Sequence, residues 1–315
     1  MQKREQSSGK QAGGIGNMSI EERMSFFWGE GKMSWLRYLT LETFCKLNPH
    51  WDIRLYFTTK SKKVQTWRSI EQQDFKHYDG ACYFEKATKI KNLQSIPAEY
   101  FFPKFPTHLS PVHQCDLLQW KILAELGGWY SDMDILYLKS MELLHNRTLN
   151  DQYDMVMCLP CGDLTIGFLA AKQGRKFYRA MFNSCLQQLQ EPNTYQAFGT
   201  SKMFEMCGLR GNAPGRDAVW RITKHFNHSI YVTENGEDVY PWNWRGVENI
   251  WHKDVGVGAD QVGIHWYAGA PTSQKMNAVL TPENWDAPEF DSTFTYQLRR
   301  LNDNNILDLD SHSSI

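Results

Sequence analysis

Residues 110–138 constrain the fold more than any other part of this 315-residue chain. Ser110 is a good N-cap, and Pro111 suits the first helical position because its missing N–H would be unpaired there anyway. Apolar residues then recur at helical spacing and predict one face packed on a core; they are Cys115, Leu118, Ile122 and Leu126. Gly127 and Gly128 predict the end of the helix, where a left-handed residue is usual.

Two carboxylates follow the glycine pair. Asp132 and Asp134 are two residues apart, so in extended geometry their side chains point to the same side. Residues 135–138 continue as a predicted buried strand. Two acidic side chains aimed together need a cation, or one of them must stay protonated. Since oxygen ligands suit Mn²⁺ or Mg²⁺, usually shared with phosphate oxygens, this pair predicts a metal site.

The start of the fold has a strand–helix–strand pattern. Residues 24–28 predict a buried strand, residues 35–47 a helix that ends before Pro49, and residues 51–57 a second strand. Parallel strands joined by a helix bind ligands beyond their carboxyl ends. Later patterns predict strands over residues 153–158, 164–171, 230–232 and 262–265, and helices over 177–189 and 200–228. The sequence therefore predicts an α/β fold with a mostly parallel central sheet flanked by helices.

The central block resembles a known family. Its pattern is Asp-Leu-Leu-x-x-x-x-Leu-x-x-x-Gly-Gly-x-Tyr-x-Asp-x-Asp over residues 116–134. This is similar to the sugar-nucleotide signature of the family 32 glycosyltransferases and the related clostridial toxin glucosyltransferases. An isolated Asp-x-Asp is uninformative, whereas the whole block is specific. The resemblance implies a GT-A fold, a sugar donor carried on a nucleoside diphosphate (uridine rather than guanosine), and retention of anomeric configuration.

The resemblance also implies roles for individual residues. Asp132 and Asp134 would be catalytic and would hold the metal together with His265, although a lone histidine is more often a satisfied core residue. Trp28 would stack on the nucleotide base, with an ordinary core tryptophan as the alternative. Further donor-binding residues would be Asp116, Gln119, Tyr130, Thr165, Gly269, Ser273 and Lys275. Family members usually carry Arg where this chain has Gln119, so no sugar preference is carried over.

An aromatic segment follows at residues 240–246, Tyr-Pro-Trp-Asn-Trp-Arg-Gly. We expect it in a loop or lid. Aromatic side chains near a sugar site can stack on pyranose rings. Aromatic side chains that only pack against the rest of the protein are about as common. Both interpretations stay open at this point.

Composition limits the binding partners and the cellular compartment that we expect. A net charge of −1 gives no electrostatic footprint for nucleic acid or an anionic membrane. No run of about 18 apolar residues predicts a transmembrane helix, and the beginning of the chain lacks an apolar signal-peptide core. Seven cysteines, an odd number, favour reduced thiols. We therefore expect a cytoplasmic protein of bacterial, viral or phage origin.

The domain prediction is a disordered tail over residues 1–17, a single GT-A catalytic domain over residues 18–303 and a frayed tail over residues 304–315. Expected partners are a nucleotide sugar and a glycan, protein or modified-nucleobase acceptor. Two other function classes remain open. One is a metal-dependent phosphohydrolase or nucleotidyltransferase, which also uses paired carboxylates with Mg²⁺. The other is a non-catalytic module that binds glycans or nucleotides.

Overall fold

A computed structural model describes residues 19–29, 31–58, 60, 78–149, 152–190, 194–211, 213–233, 238–252 and 255–309. The tail predicted over residues 1–17 lies outside these ranges. Within them, no helix combines the length and the apolar character needed to cross a membrane.

A central sheet organises the described part of the chain. Its strands lie in the order β3-β2-β1-β4-β7-β6-β8. They are β1 (Arg23–Trp28), β2 (Asp52–Phe57), β3 (Leu93–Pro97), β4 (Gly128–Ser131), β6 (Met155–Cys158), β7 (Thr165–Ala171) and β8 (Ile230–Thr233). Neighbouring strands are parallel except at β7, which runs antiparallel to β4 and to β6. The predicted α/β class with a mostly parallel sheet is confirmed.

A short two-stranded sheet joins distant parts of the sequence. Strand β5 (Ile135–Tyr137) pairs antiparallel with β9 (Gly263–His265), and Ile135 lies opposite His265. This pairing carries the end of β9 to the segment that follows β4.

Helices cover both faces of the central sheet. They are α1 (Trp35–Leu47), α2 (Phe84–Thr88), α3 (Ala98–Phe101), α4 (Pro111–Glu125), α5 (Glu142–Thr148), α6 (Lys176–Leu186), α7 (Thr200–Met206), α8 (Gly215–Phe226), α9 (Glu248–Trp251), α10 (Pro271–Val279) and α11 (Thr293–Asp303). The core has two parts, because successive side chains of a strand point to opposite faces. In β1, Phe26 packs with α1 in one part and Phe27 packs with α4 in the other.

The structure corrects the predicted elements in two places. The helix predicted over residues 200–228 is two helices, because Gly208 adopts φ +64° after α7 and Pro214 precedes α8. Strand β3 was not predicted at all, since its pattern is irregular and it ends in Pro97 at the edge of the sheet. Leu307 and Leu309, which follow the domain boundary predicted at residue 303, are buried in the core.

Candidate active site

Helix α4 and the glycine turn place the acidic segment. The Ser110 hydroxyl accepts a hydrogen bond from the backbone N–H of His113, as its N-cap prediction requires. Gly127 and Gly128 adopt φ +68° and +80°, conformations that favour glycine. A Cβ on Gly127 would also lie 2.6 Å from the backbone nitrogen of Gln173. The chain can therefore turn from α4 directly into β4 only with glycine at this point.

Three neighbouring elements fix the acidic turn that follows β4. The N–H of Asp132 donates to the carbonyl of Gly167 in β7 at 2.7 Å. The Thr40 hydroxyl, from α1, donates to the carbonyl of Met133 at 3.0 Å. The N–H of Ala268 donates to Asp134 Oδ2 at 2.8 Å. Because these contacts come from three sides, the two carboxylates are held in a preorganised arrangement.

His265, at the end of β9, completes a cluster of three possible metal ligands. Its Nε2 lies 3.3 Å from Asp134 Oδ1, and one ligand atom from each of Asp132, Asp134 and His265 lies within 4.8 Å of the others. The imidazole stacks on Tyr240, with ring centroids 4.9 Å apart. The N–H of Tyr267 donates to His265 Nδ1 at 3.3 Å, so a neutral ring carries its proton on Nε2, facing Asp134.

Burial and mutual charge set the protonation of this cluster. Burial, together with the neighbouring Asp134 charge, raises the pKa of Asp132 to about 7. Burial also acts upward on the pKa of Asp134, but His265, Arg37 and the Ala268 N–H outweigh it and hold that pKa below its usual range. Burial lowers the pKa of His265, which therefore favours the neutral ring that a metal requires. A divalent cation would relieve the repulsion between the carboxylates, so the residues present fit one.

Arg37 is a site residue that the sequence reasoning missed. Its Nη1 lies 3.7 Å from Asp134 Oδ1, and its guanidinium lies 5.1 Å from the ring centroid of Trp266. A signal was present, because Arg37 is in the first turn of α1, where a cation is unfavourable next to the helix dipole. Arg37 therefore breaks a local rule next to the carboxyl end of β1, where open α/β sheets bind ligands.

Helix α4 contributes two of the predicted donor-binding residues, Asp116 and Gln119, and the neighbouring Cys115. Asp116 is buried, and burial together with the Asp132 charge raises the pKa of its carboxyl well above the usual range. The Gln119 amide is buried and donates to the carbonyl of Ile166 at 2.5 Å. Cys115 packs against the core, as predicted, and its Sγ also lies 3.9 Å from Asp132 Oδ1. The face of α4 that carries Cys115 and Asp116 therefore borders the acidic cluster.

Tyr130 lies in the interior of β4. It is fully buried, and its hydroxyl oxygen lies 2.9 Å from Cys115 Sγ. The structure places Tyr130 behind Asp132, in contact with a side chain that also approaches Asp132. Its predicted donor contact stays a prediction.

Strands β1 and β7 bring two further predicted residues to the same edge of the sheet. Thr165 begins β7, whose antiparallel pairing with β4 places its start beside the end of β4. A Cβ on Gly167, also in β7, would lie 2.5 Å from Asp132 Oδ2. Trp28 ends β1, the parallel neighbour of β4; it is half-buried and its indole N–H donates to the carbonyl of Gly31 at 3.3 Å. The location suits a base platform, and that role stays a prediction.

The remaining predicted residues follow β9, and their surroundings differ from those of the residues that border the acidic cluster. Gly269 lies in the turn before α10, half-buried. Ser273 is fully buried, accepts a hydrogen bond from the Trp251 indole at 2.7 Å and donates to the carbonyl of Trp266. Lys275 is exposed on α10. The Ser273 hydroxyl therefore makes its hydrogen bonds within the protein. Among the described residues, no contact joins Lys275 to the cluster.

The cysteines show no redox pairing. All seven are free; Cys158 is buried and Cys161 is exposed.

Comparisons with known proteins address the family. A comparison with curated proteins gives no match. Among solved structures, the PaToxG glycosyltransferase is similar, with 11% identity and a TM-score of 0.44 over 66% of this chain and 70% of that chain. The galactosyltransferase LgtC, in complex with donor and acceptor sugar analogs, has 11% identity and a TM-score of 0.39 over 90% and 95%. GlyE of Streptococcus pneumoniae has 11% identity and a TM-score of 0.42 over 90% and 64%.

One protein family matches the chain directly. Its description is glycosyltransferase sugar-binding region containing DXD motif, and it matches residues 38–155. This range contains α4, the glycine turn and both carboxylates of the cluster. The predicted resemblance is confirmed, because residues 38–155 match the DXD-containing sugar-binding region of glycosyltransferases.

Proposed function

We propose that this protein is a metal-dependent GT-A glycosyltransferase that moves a sugar from a nucleoside-diphosphate sugar, with uridine favoured over guanosine, to an acceptor hydroxyl. The observation that carries the proposal is the cluster of Asp132, Asp134 and His265 at the carboxyl end of β4. Its two carboxylates lie inside the segment that matches the DXD-containing sugar-binding region. Ligands at such an edge of an open α/β sheet are bound beyond the strand ends.

The residues around the cluster suit the parts of such a donor. Asp132, Asp134 and His265 would hold Mn²⁺ or Mg²⁺, and His265 would do so in the neutral tautomer whose ring proton is on Nδ1. A bound divalent cation would supply Lewis-acid stabilisation to the leaving diphosphate. Arg37 adds a fixed positive charge on the same side, where an anionic leaving group needs it.

The buried acid of α4 would orient the donor sugar. Asp116 can donate or accept a hydrogen bond, depending on its proton, and its oxygen lies 3.0 Å from the Cβ position of Gly199. Gln119 presents a neutral amide. One of its two N–H groups donates to the Ile166 carbonyl, which leaves the amide oxygen and the second N–H for a sugar hydroxyl. Both contacts are proposed. Retention of configuration is proposed from the family resemblance, and NMR of the first-formed product anomer tests it.

A donor screen tests the whole proposal. Thermal unfolding is measured with Mn²⁺ and a panel of nucleotides and nucleotide sugars, because a ligand at 100 times its Kd stabilises by about 2.7 kcal/mol. We expect stabilisation by UDP with Mn²⁺, and release of UDP from one or more UDP-sugars. Release of UMP or inorganic phosphate instead would favour the nucleotidyltransferase or phosphohydrolase alternative.

A pair of variants assigns the effect to the cluster. Asp134→Asn should abolish metal-dependent stabilisation and turnover, since it removes the carboxylate that lies nearest to His265 and Arg37. Asp217→Asn changes an exposed acid on α8 in the same way and serves as the control. If both variants keep wild-type UDP binding and turnover, the assignment of the site is wrong.

A further inference from the structure

The aromatic loop over residues 240–246 is anchored at both ends. At its start, Tyr240 stacks on His265. In its middle, the Tyr267 hydroxyl donates to the carbonyl of Trp242 at 2.6 Å. At its end, Asp163 Oδ2 accepts from Asn243 Nδ2 at 3.2 Å and lies 3.0 Å from Arg245 Nη1. These contacts hold the loop in one position.

The anchors connect the loop to both sides of the acidic cluster. Tyr240 and Tyr267 both contact the ring of His265, with centroids 4.9 and 4.4 Å away. Asp163, the other anchor, lies just before β7, the strand whose Gly167 borders Asp132. The loop therefore spans from the start of β7 to the end of β9, beside the place where the donor sugar is proposed to lie.

Trp244 stands out from this anchored loop. Its side chain is 59% exposed, and the Arg245 guanidinium lies 4.7 Å from its ring centroid. An exposed indole on an anchored loop offers a large contact area at a low cost in conformational entropy. The Arg245 charge is paired with Asp163, and nucleic acids are bound mainly by cations that neutralise their phosphates. This surface therefore does not favour a nucleic acid. An indole face beside amide and guanidinium donors matches a pyranose ring, with its apolar C–H face and its hydroxyl rim.

We propose that Trp244 is the stacking platform for the acceptor and that the acceptor is a glycan, which presents a pyranose ring to this loop. This inference rests on the proposed function, because it places the acceptor beside the proposed donor. Trp244 would bind the ring face, and Asn243 and Arg245 would contact its hydroxyl groups. The residue thus sets acceptor specificity without taking part in donor binding.

The chain supplies a matched control in Trp220. This residue is 57% exposed on α8, and Lys224 lies 4.7 Å from its ring centroid. It therefore shares the exposure and the neighbouring cation of Trp244, but it lies on a helix rather than on the anchored loop. Any effect of removing an exposed indole as such would appear in both variants.

The test uses methyl glucopyranosides and methyl galactopyranosides of both anomers as probes. Their binding to the full chain with UDP and Mn²⁺ is measured by saturation-transfer NMR, for the wild type, Trp244→Ala and Trp220→Ala. We expect Trp244→Ala to weaken binding of the preferred glycoside by about tenfold, with strongest saturation on the ring C–H face, and Trp220→Ala to leave it unchanged. Trp244→Phe should restore most of the binding.

Three results would overturn the inference. The first is that Trp244→Ala and the wild type bind the glycosides equally. The second is that the wild type binds none of the glycosides at millimolar concentration. The third is that the wild type prefers thymidine or a serine-containing peptide. Binding of UDP with Mn²⁺ is measured on the same samples and reports separately on the proposed function. If the wild type does not bind UDP with Mn²⁺, the donor site is refuted. If it binds UDP but no glycoside, only the acceptor platform is refuted.

Discussion

Gly167→Ala tests whether the position of Asp132 matters. A Cβ at this position would lie 2.5 Å from Asp132 Oδ2 and 2.9 Å from the Tyr240 hydroxyl oxygen. Since ordinary contact begins at 3.4 Å, the Asp132 oxygen must retreat by roughly 0.9 Å. Both atoms are ends of side chains, so the backbone of β7 can stay in place while the carboxylate moves.

The expected loss follows from the tolerance of a metal site. Metal–ligand distances vary by only about 0.2 Å, and a misplacement near 1 Å costs on the order of 10²-fold in rate. We therefore expect kcat/KM for Mn²⁺-dependent UDP release to fall about 10²-fold, which is about 2.7 kcal/mol. Overpacking of this kind costs about 1–3 kcal/mol of folding stability, so the variant remains folded.

Gly256→Ala is the control, because a Cβ there meets nothing within 4 Å. UDP release from a panel of UDP-sugars and free Mn²⁺ by electron paramagnetic resonance are measured for both variants, with circular dichroism to verify folding. If Gly167→Ala binds Mn²⁺ and turns over like Gly256→Ala and the wild type, Asp132 does not hold the metal in the geometry described above. That result would refute the reasoning from this close approach.

Further predictions concern charge and the glycine turn. Apparent Mn²⁺ affinity should fall by up to about tenfold per pH unit below pH 7, because Asp132, with its pKa raised to about 7, must release a proton when the metal binds. Calorimetry in buffers of different ionisation enthalpy should detect that proton. Constant affinity below pH 7 would contradict the prediction. In the metal-free protein the same raised pKa stabilises the fold below the unfolded value near 4, and this contribution is lost as the pH rises through about 7. Arg37→Met should strengthen binding of Mn²⁺ alone, because a cation beside Asp134 is removed, and weaken binding of UDP with Mn²⁺ by about tenfold; titration calorimetry separates the two, and equal changes would exclude a contact with the diphosphate. Gly127→Ala should cost about 2–4 kcal/mol in urea unfolding, because a positive φ and a backbone clash add, whereas Gly174→Ala, with positive φ and open space, should cost about 1–2 kcal/mol.

Local signals account for the parts of the fold that were predicted. The Ser110 cap, the Gly127 turn and the helix from Trp35 to Leu47 depend on a few neighbouring residues, and all three are confirmed. The break between α7 and α8 depends on Gly208, a signal that helical periodicity alone does not show. Strand β3 forms because β2 offers a parallel neighbour, which no local pattern within residues 93–97 reveals.

The candidate site was only partly predictable for a similar reason. The two aspartates share one short segment, and the family resemblance supplied His265 as their partner. Arg37 and Cys115 reach the cluster from helices whose other faces are packed in the core. Helix α4 is buried on most of its circumference, so its apolar pattern cannot tell a side chain that faces the core from one that faces the site. Their position follows from the packing of α1 and α4 against the sheet, which is a long-range property.

The cluster is assembled from two parts of the chain, and this has a consequence for its metal affinity. Asp132 and Asp134 lie within the matched sugar-binding region, whereas His265, Ala268 and Tyr240 lie beyond it. The β5–β9 pairing and the hydrogen bond from Ala268 to Asp134 connect the two parts. Substitutions in the second part can therefore change the charge and position of the carboxylates while leaving the Asp-x-Asp sequence intact. An intact motif in a related chain would then be insufficient grounds to expect an active metal site, because the residues that complete the site lie outside the motif.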